Sequence, residues 1–339
     1  MSILIVAKND DLHAEQVSKV LAAEGHAIRL LDTRRWPSGV DLSLSVANNQ
    51  SQVLADGVCQ QFASGWCRQI AFRKDTPTDI NLEDVAFIRT EGMLFDIGML
   101  AALGVGGQVL RWVNPPLNAL AADQKPLQLV TAAACGLAVP RTLISRQPQD
   151  IDGFRSQYPD GVVAKPFNVG AWEGASGFKV SYAARIAHDE TIADGEFLAC
   201  PTTYQEAVAH TGDLRIVRLG GEYIAVRMRH DMKGVIDYRS VRHKTKIRYE
   251  QVPVTSSLQG KLDLMSNRLG IDFFCADFLE HPDGGEPVFV ELNPGGQFLF
   301  LDQHVPGLGV LPRFCSLLAH GHTRESALYA RHVKAISVE

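Results

Sequence analysis

The chain opens with Ser2-Ile-Leu-Ile-Val-Ala7, a short apolar run with no polar alternation. A strand of that texture is buried on both faces, as in a parallel sheet covered by helices. The next residues agree. Asn9-Asp10-Asp11 is helix N-cap chemistry, Leu12, Val17, Val20 and Leu21 recur at helical spacing, and Gly25 stops the helix. Residues 27–31 then read as a second strand, so a right-handed β-α-β crossover is expected. Residues 84–89 read as a further buried strand and 93–103 as the helix after it. Residues 1–113 are therefore expected to form a small α/β domain.

Asn114-Pro115-Pro116 punctuates the chain, because two prolines continue neither helix nor strand. Residues 118–135 read as one helix ended by Gly136, and 141–145 as a strand. From residue 162 the texture changes to strands separated by glycine turns: 162–165, 177–182, 203–208, 214–219 and 222–229. Gly220-Gly221 between the last two is a two-residue hairpin turn. Residues 261–269 read as a short amphipathic helix, and 273–280 with 288–292 as a second hairpin around Pro282-Asp-Gly-Gly285. The outline is α/β followed by a mixed α+β region of two lobes. The expected divisions are 1–113, 114–205, 206–325 and a tail, 326–339.

Composition narrows the function. A net charge of −5 argues against a whole-surface polyanion binder, so no nucleic-acid partner is expected and any phosphate site must be a local patch. No apolar run reaches the roughly 18 residues needed to span a bilayer. The first strand is too short and poorly flanked for a signal peptide. Six cysteines without a C-x-x-C pair read as reduced thiols of a cytoplasmic protein.

Four local patterns carry chemistry. Asp277-Phe-Leu-Glu280 and Glu291-Leu-Asn293 face each other across the second hairpin. Strand alternation puts Glu291 and Asn293 on one side, and the hairpin can bring Asp277 there, giving a hard-oxygen set suited to Mg²⁺. Val162-Val-Ala-Lys165 ends an apolar strand on a lysine, followed by a glycine-rich loop through Gly170, Gly174 and Gly177 that offers N–H groups to phosphate. Tyr204-Gln-Glu206-Ala-Val208 can meet an adenine edge, and Asp213 and Arg215 point to one side of the following strand. Arg227 stands out in the basic stretch 227–248, at a strand end beside the hairpin. His320-Gly-His322 is too close-spaced, with too few partners, for a zinc site.

The order of these patterns resembles the ATP-grasp superfamily over about residues 114–302. The resemblance implies an ATP-grasp fold with a central and a C-terminal lobe, preceded by an N-terminal preATP-grasp α/β domain. In detail the chain resembles the RimK-like branch and, within it, microviridin-type (graspetide) peptide ligases. That narrower likeness rests on Asp32-Thr-Arg-Arg-Trp-Pro37, Asn114-Pro115, Pro140-Arg-Thr142, Asp237-Tyr-Arg239, Val290-Glu-Leu-Asn-Pro-Gly-Gly-Gln297-Phe and Phe300-Leu-Asp302. The resemblance implies that Lys125 and Lys165 contact ATP phosphates, under a loop containing Gly174, Ser176 and Gly177. Glu206 and Val208 would hold adenine, and Asp213 the ribose or the substrate. Arg215 and Arg227 would face the γ-phosphate and the developing acyl phosphate, while Asp277, Glu291 and Asn293 would hold a pair of Mg²⁺ ions. One departure is expected: where such ligases carry a tryptophan-bearing Arg-Arg pair after the third strand, this sequence has Phe87-Ile-Arg89-Thr-Glu-Gly92. The segment 182–196 is also short for a region those ligases use near the leader peptide.

The implied reaction is ATP-dependent. A carboxylate is a poor electrophile, and phosphorylating it gives an acyl phosphate that a hydroxyl or amine can attack. Phosphoryl transfer needs positioning and charge neutralisation rather than a nucleophilic side chain, and no G-x-S-x-G or H-E-x-x-H motif competes. The expected substrate is a ribosomal precursor peptide closed by side-chain ester or amide bonds. The alternative is a RimK- or glutathione-synthase-like ligase adding an amino acid to a small-molecule carboxylate or a protein terminus. A non-catalytic ATP-binding module is disfavoured by the presence of Asp277, Glu291 and Asn293 together. A homodimer is implied by the family alone.

Overall fold

Strand β1 (Ser2–Val6) is the middle of a parallel sheet of order β2-β1-β6, with β2 at Ala27–Leu31 and β6 at Ser64–Cys67. The computed structural model describes residues 1–32, 42–48, 50–70, 81–167, 171–174, 177–180, 183–188, 190, 198–232 and 245–323. Ile3 and Ile5 enter one apolar cluster and Leu4 and Val6 another, as an unbroken apolar strand requires. Helix α1 (Leu12–Ala23) covers the first face, and the Asp11 carboxylate accepts from the Ala14 N–H at its start. The second face is covered by α2 (Val85–Val105) and an antiparallel meander of β3 (Leu42–Ala47), β4 (Gln50–Ala55) and β5 (Val58–Cys59).

The third parallel strand is thus β6, and residues 84–89 are not a strand. They begin α2, which follows a 3-10 turn at Leu82–Asp84 and buries Asp96, Met99, Leu100 and Leu103 along one face. Nothing separates the apolar residues 85–88 from the helically spaced positions after them, so the helix absorbs them. The true strand is buried at all four positions, but half of it is serine and glycine, which hides it from an apolar-run criterion. Trp66-Cys67-Arg68 therefore occupies the place assigned to Phe87-Ile-Arg89. Trp66 lies inside that strand, and Arg68-Gln-Ile70 follows it.

Helices α3 (Pro116–Ala122) and α4 (Lys125–Ala134) divide the stretch expected to be one helix. The break at Asp123-Gln124 precedes Pro126, whose ring is tolerated only in a helix's first turn. Both helices pack on the C-terminal lobe. The central lobe is the antiparallel sheet β11-β8-β12-β7, comprising β7 (Thr142–Ser145), β8 (Val162–Lys165), β11 (Ala184–Ile186) and β12 (Thr202–Glu206). Helix α5 (Pro148–Arg155) packs beside β7, and β9 (Ala171–Gly174) with β10 (Gly177–Val180) forms a separate hairpin.

The C-terminal lobe is a five-stranded antiparallel sheet, β15-β14-β13-β16-β17. Its strands are β13 (Asp213–Leu219), β14 (Glu222–Arg229), β15 (Arg248–Val252), β16 (Phe273–Leu279) and β17 (Val288–Asn293). Gly220 and Gly221 both have positive φ, 56° and 98°, as the predicted two-residue turn demands. Helix α6 (Ser256–Leu269) starts earlier than expected because the Thr255 hydroxyl caps the Leu258 N–H. One face of the sheet buries Ile216, Phe274 and Phe278 against α6 and α4. The other buries Val217, Phe273 and Cys275 against α1, α7 (Leu299–His304) and α8 (Val310–His320), so the N-terminal parallel sheet and the C-terminal antiparallel sheet share a core. Residues 326–339 lie outside the described residues. Among the described residues no helix is long and apolar enough to cross a membrane.

Asn114 joins these parts. Its side chain is fully buried, donates to the Phe273 and Pro294 carbonyls and accepts from the Asp272 and Phe273 N–H groups, all within 2.6–2.9 Å. Both ends of its carboxamide are used, which a helix-breaking Asn-Pro-Pro sequence alone does not announce. Truncating it strands backbone groups in the core. Asn114→Ala is expected to destabilise the fold by about 3 kcal/mol, measured as a drop in the urea unfolding midpoint.

Candidate active site

Alternation along the C-terminal sheet makes one face change character from end to end. On β13 that face runs Leu219, Val217, Arg215, Asp213, and on β16 it runs Phe273, Cys275, Asp277. The apolar end lies in the shared core. The polar end opens into a cleft of about 1290 Å³. The cleft's other walls are the start of α4, the ends of β8 and β12, the linker 207–212 and the end of β6 with residues 68–70.

Within this cleft Asp277 of β16 stands directly opposite Glu291 of β17. Like charges so placed repel, and each is met by a cation. Arg215, 6% exposed, donates through Nη1 to both oxygens of Asp277, at 2.6 and 2.8 Å. Lys125 Nζ, on the first turn of α4, lies 3.1 Å from Glu291 Oε2. The strand pairing slips beyond this point: Phe278 faces Phe289, so Val290 is an extra residue and lines the cleft beside Glu291. The Asn293 carboxamide oxygen accepts from the Gly295 and Gly296 N–H groups, at 3.1 and 2.9 Å. Gly295 has to be glycine, because a Cβ there would sit 2.4 Å from the Arg68 carbonyl oxygen.

Nine of the residues expected from the sequence line this one cleft: Lys125, Lys165, Glu206, Val208, Asp213, Arg215, Asp277, Glu291 and Asn293. Arg227 does not. It pairs with Leu214 in the ladder and therefore lies on the opposite face from Arg215, where it is bound by Glu280 at 2.6 Å and Glu250 at 3.1 Å. Gly174 and Gly177 pair at the turn end of the β9–β10 hairpin. Ser176 lies outside the described residues, as do Arg239 and the rest of 233–244. The Glu206 carboxylate accepts from the Arg141 N–H at 3.0 Å.

The sequence did not single out Gln128 or Asp123, and it named Glu280 without its role. Gln128, one turn after Lys125 and 1% exposed, clamps β17: it donates to the Leu292 and Ala122 carbonyls and accepts from the Leu292 N–H. The residue it grips lies between Glu291 and Asn293. A glutamine in an Ala/Leu-rich helix gives no hint of this; only the tertiary contact does. Glu280 pins the linker by backbone bonds to Thr211 and Gly212 and by a side-chain bond from Thr211. Burial opposes its ionisation. The hydrogen bond from Arg229 and the charges of Arg227 and Arg229 nonetheless hold its pKa below the usual value. Burial pushes the Asp123 carboxyl up, against the nearby Lys125 charge and with that of Glu291.

No family model matches the chain, and no curated protein matches it in sequence. In three dimensions the agreement spans almost the whole chain, and it defines the class: this is an ATP-grasp fold. The chain is similar to macrocyclase MdnC bound with precursor peptide MdnA from Microcystis aeruginosa, with 21% identity, a TM-score of 0.75, and 94% of this chain and 99% of that one covered. It is similar to a Chryseobacterium gregarium RiPP-associated ATP-grasp ligase in complex with ADP, a leader and a core peptide, with 17% identity, a TM-score of 0.79, and 96% and 98% covered. ATP-grasp ligase PsnB, complexed with a phosphomimetic variant of its minimal precursor, Mg and ADP, gives 22% identity, a TM-score of 0.73, and 93% and 97% covered. The resemblance expected from the sequence holds in three dimensions as a shared fold.

His13 of α1 accepts at Nε2 from the Phe298 N–H at 3.1 Å, tying the N-terminal helix to the segment before α7. Burial chiefly, then the charge of Arg68, lowers its pKa from 6.5 to about 4, with Asp11 opposing and Arg215 adding to the effect. Above pH 6.5 the imidazole is neutral both folded and unfolded. Below it the unfolded chain takes up a proton that the folded one refuses. Stability is therefore expected to fall as pH drops from 6.5 toward about 4. In urea titrations across that window, His13→Gln, which keeps an acceptor for Phe298, is expected to show a shallower loss than the parent.

Proposed function

We propose that this protein is an ATP-dependent carboxylate ligase acting on a ribosomal precursor peptide. It would activate a side-chain carboxylate as an acyl phosphate and join it to a side-chain hydroxyl or amine. The observation that carries the reading is the convergence of Lys125, Lys165 and Arg215 with Asp277 and Glu291 in one cleft, from five separate elements. The neighbours with ATP-grasp ligase or macrocyclase in their names, several solved with precursor peptides, support the peptide as substrate.

In this reading the linker at Glu206–Val208 holds the base, Asp213 holds the ribose, and the β9–β10 hairpin with Gly174 and Gly177 covers the phosphates. Lys125, Lys165 and Arg215 balance charge as the bond from the γ-phosphorus to the ADP oxygen breaks and a bond to the substrate carboxylate forms. The hydroxyl or amine then attacks the carbonyl carbon and loses its proton, and phosphate leaves. Asp277 and Glu291 supply two facing carboxylates, a hard-oxygen donor set that fits Mg²⁺ bound jointly with phosphate. When bound, the cation would neutralise charge on the transferring phosphoryl group. Phe300 and Met228 line the same cleft and would shield the acyl phosphate from water.

The test is to incubate the protein with ATP, Mg²⁺ and the precursor peptide encoded beside its gene. ADP release with loss of one water per bond is expected by mass spectrometry. ADP release with free amino acids and none with peptide would overturn the peptide reading in favour of a RimK-like one. Lys165→Ala and Arg215→Met are each expected to lower ADP formation by at least about 100-fold. Arg227→Met, on the far face, is expected to lower it by less than about fivefold, measured in a coupled ADP assay.

A further inference from the structure

The strands give the cleft an order. In the reading above the base lies at the linker 207–212 and the ribose at Asp213. Further along β13 comes Arg215, with Asp277 and Glu291 across the ladder, and beyond Glu291 on β17 come Asn293 and the turn at Gly295. In-line phosphoryl transfer puts the acceptor on the side of the γ-phosphorus away from ADP. The acceptor carboxylate therefore belongs near the Asn293–Gly295 end. There the cleft is walled by Arg68, which follows β6 of the N-terminal sheet.

Arg68 is anchored on one side and open on the other. Its side chain is 10% exposed, and its Nε lies 3.3 Å from the carboxylate of Asp11, itself 10% exposed. Asp11 is fixed in turn as the cap of α1. Nη1 of Arg68 lies beside Gly295, where an added Cβ would come within 2.9 Å of it. Among the described residues no acceptor meets Nη1 or Nη2. These two nitrogens form the outer edge of the guanidinium, a planar fork that matches the two oxygens of a carboxylate. We propose that Arg68 recognises the substrate: Nη1 and Nη2 hold the carboxylate to be phosphorylated, and Asp11 is the positioning residue that fixes the fork. The proposal rests on the ligase reading above and deepens it. A carboxylate held in this way keeps a further lone pair on each oxygen, so one oxygen can still attack the γ-phosphorus. A carboxamide is rejected, because it offers one acceptor and turns N–H donors toward a cation.

The test is a cycle between enzyme and substrate. The precursor peptide encoded beside the gene is compared with the same peptide carrying Asn and Gln in place of every Asp and Glu of its core. Both are labelled and titrated with the protein in the presence of ADP and Mg²⁺, with melting curves to confirm that each variant is folded. The parent is expected to bind the acidic peptide about tenfold more tightly, and Arg68→Gln to bind the two within about twofold of each other. In a coupled ADP assay Arg68→Gln is expected to lower kcat/KM for the acidic peptide by at least about 30-fold. Its affinity for ADP, by titration calorimetry, should change by less than about threefold. Arg68→Lys keeps the charge but not the fork, and is expected to retain the preference for acid with kcat/KM lowered about tenfold. Asp11→Asn preserves the helix cap and is expected to lower kcat/KM about fivefold through the loosened fork.

An undiminished preference for the acidic peptide in Arg68→Gln would overturn the assignment while leaving the ligase reading intact. A loss of ADP affinity as large as the loss of kcat/KM would do the same, since Arg68 would then serve phosphate rather than substrate. Absence of ADP release from the parent with the peptide would overturn the peptide reading and this proposal together. If Arg68→Gln does not fold, Arg68→Lys and Asp11→Asn decide the matter, and a kcat/KM equal to the parent's in both would overturn the role of Arg68.

Discussion

The structure depends on one continuous sheet face that is hydrophobic core at one end and charged cleft at the other. Val217 and Arg215 are two residues apart on β13, as are Cys275 and Asp277 on β16, and each step crosses from core to site. Charges set against packed aromatic and aliphatic side chains interact more strongly than they would in open water and cost more when unpaired. That explains why the cleft's buried arginine holds both oxygens of one carboxylate, and why two carboxylates opposed across a ladder are tolerable. The same arrangement makes the cleft sensitive to any ligand that changes which charges meet.

Rigid placement comes from a few buried carboxamides and an imidazole rather than from the charged groups themselves. Asn114 ties the interdomain segment to β16 and to the turn after β17, and Gln128 ties α4 to the middle of β17. His13 reaches from α1 to the residue before α7. Neutral side chains suit this task because they satisfy backbone donors and acceptors without adding charge to a region already dense in it. Lys125 and Glu291 meet because Gln128 fixes the distance between their elements. The Lys125–Glu291 contact therefore follows from helix–strand docking more than from attraction between two long side chains.

Much of the site was legible in the sequence because strand alternation is a local rule. Knowing that 288–293 is a strand is enough to place Glu291 and Asn293 together, and the hairpin partner follows. The opening β-α-β unit was legible for the same reason: its apolar run admits one environment. The third parallel strand was not legible, since Ser64-Gly-Trp-Cys67 owes its burial to neighbours on both sides and not to its own composition. Gln128 and His13, and the part Glu280 plays at the linker, were hidden for a related reason. Their roles are hydrogen bonds to backbone distant in sequence, and no spacing rule encodes such partners.

Arg227 is the instructive failure, because the information needed was present. A two-residue turn at Gly220-Gly221 already pairs Leu219 with Glu222, and counting outward sets Val226 opposite Arg215. Arg227 then falls opposite Leu214 and must point the other way. Proximity in sequence to a strand end had been weighed above parity along the strand. On the far face Arg227 meets Glu280, the residue that pins the linker at Thr211 and Gly212, so it acts on the cleft only through the position of that linker. The two arginines thus divide their work by sheet face. Arg215 answers to the charge of whatever occupies the cleft, and Arg227 to the geometry of the strand that forms its wall.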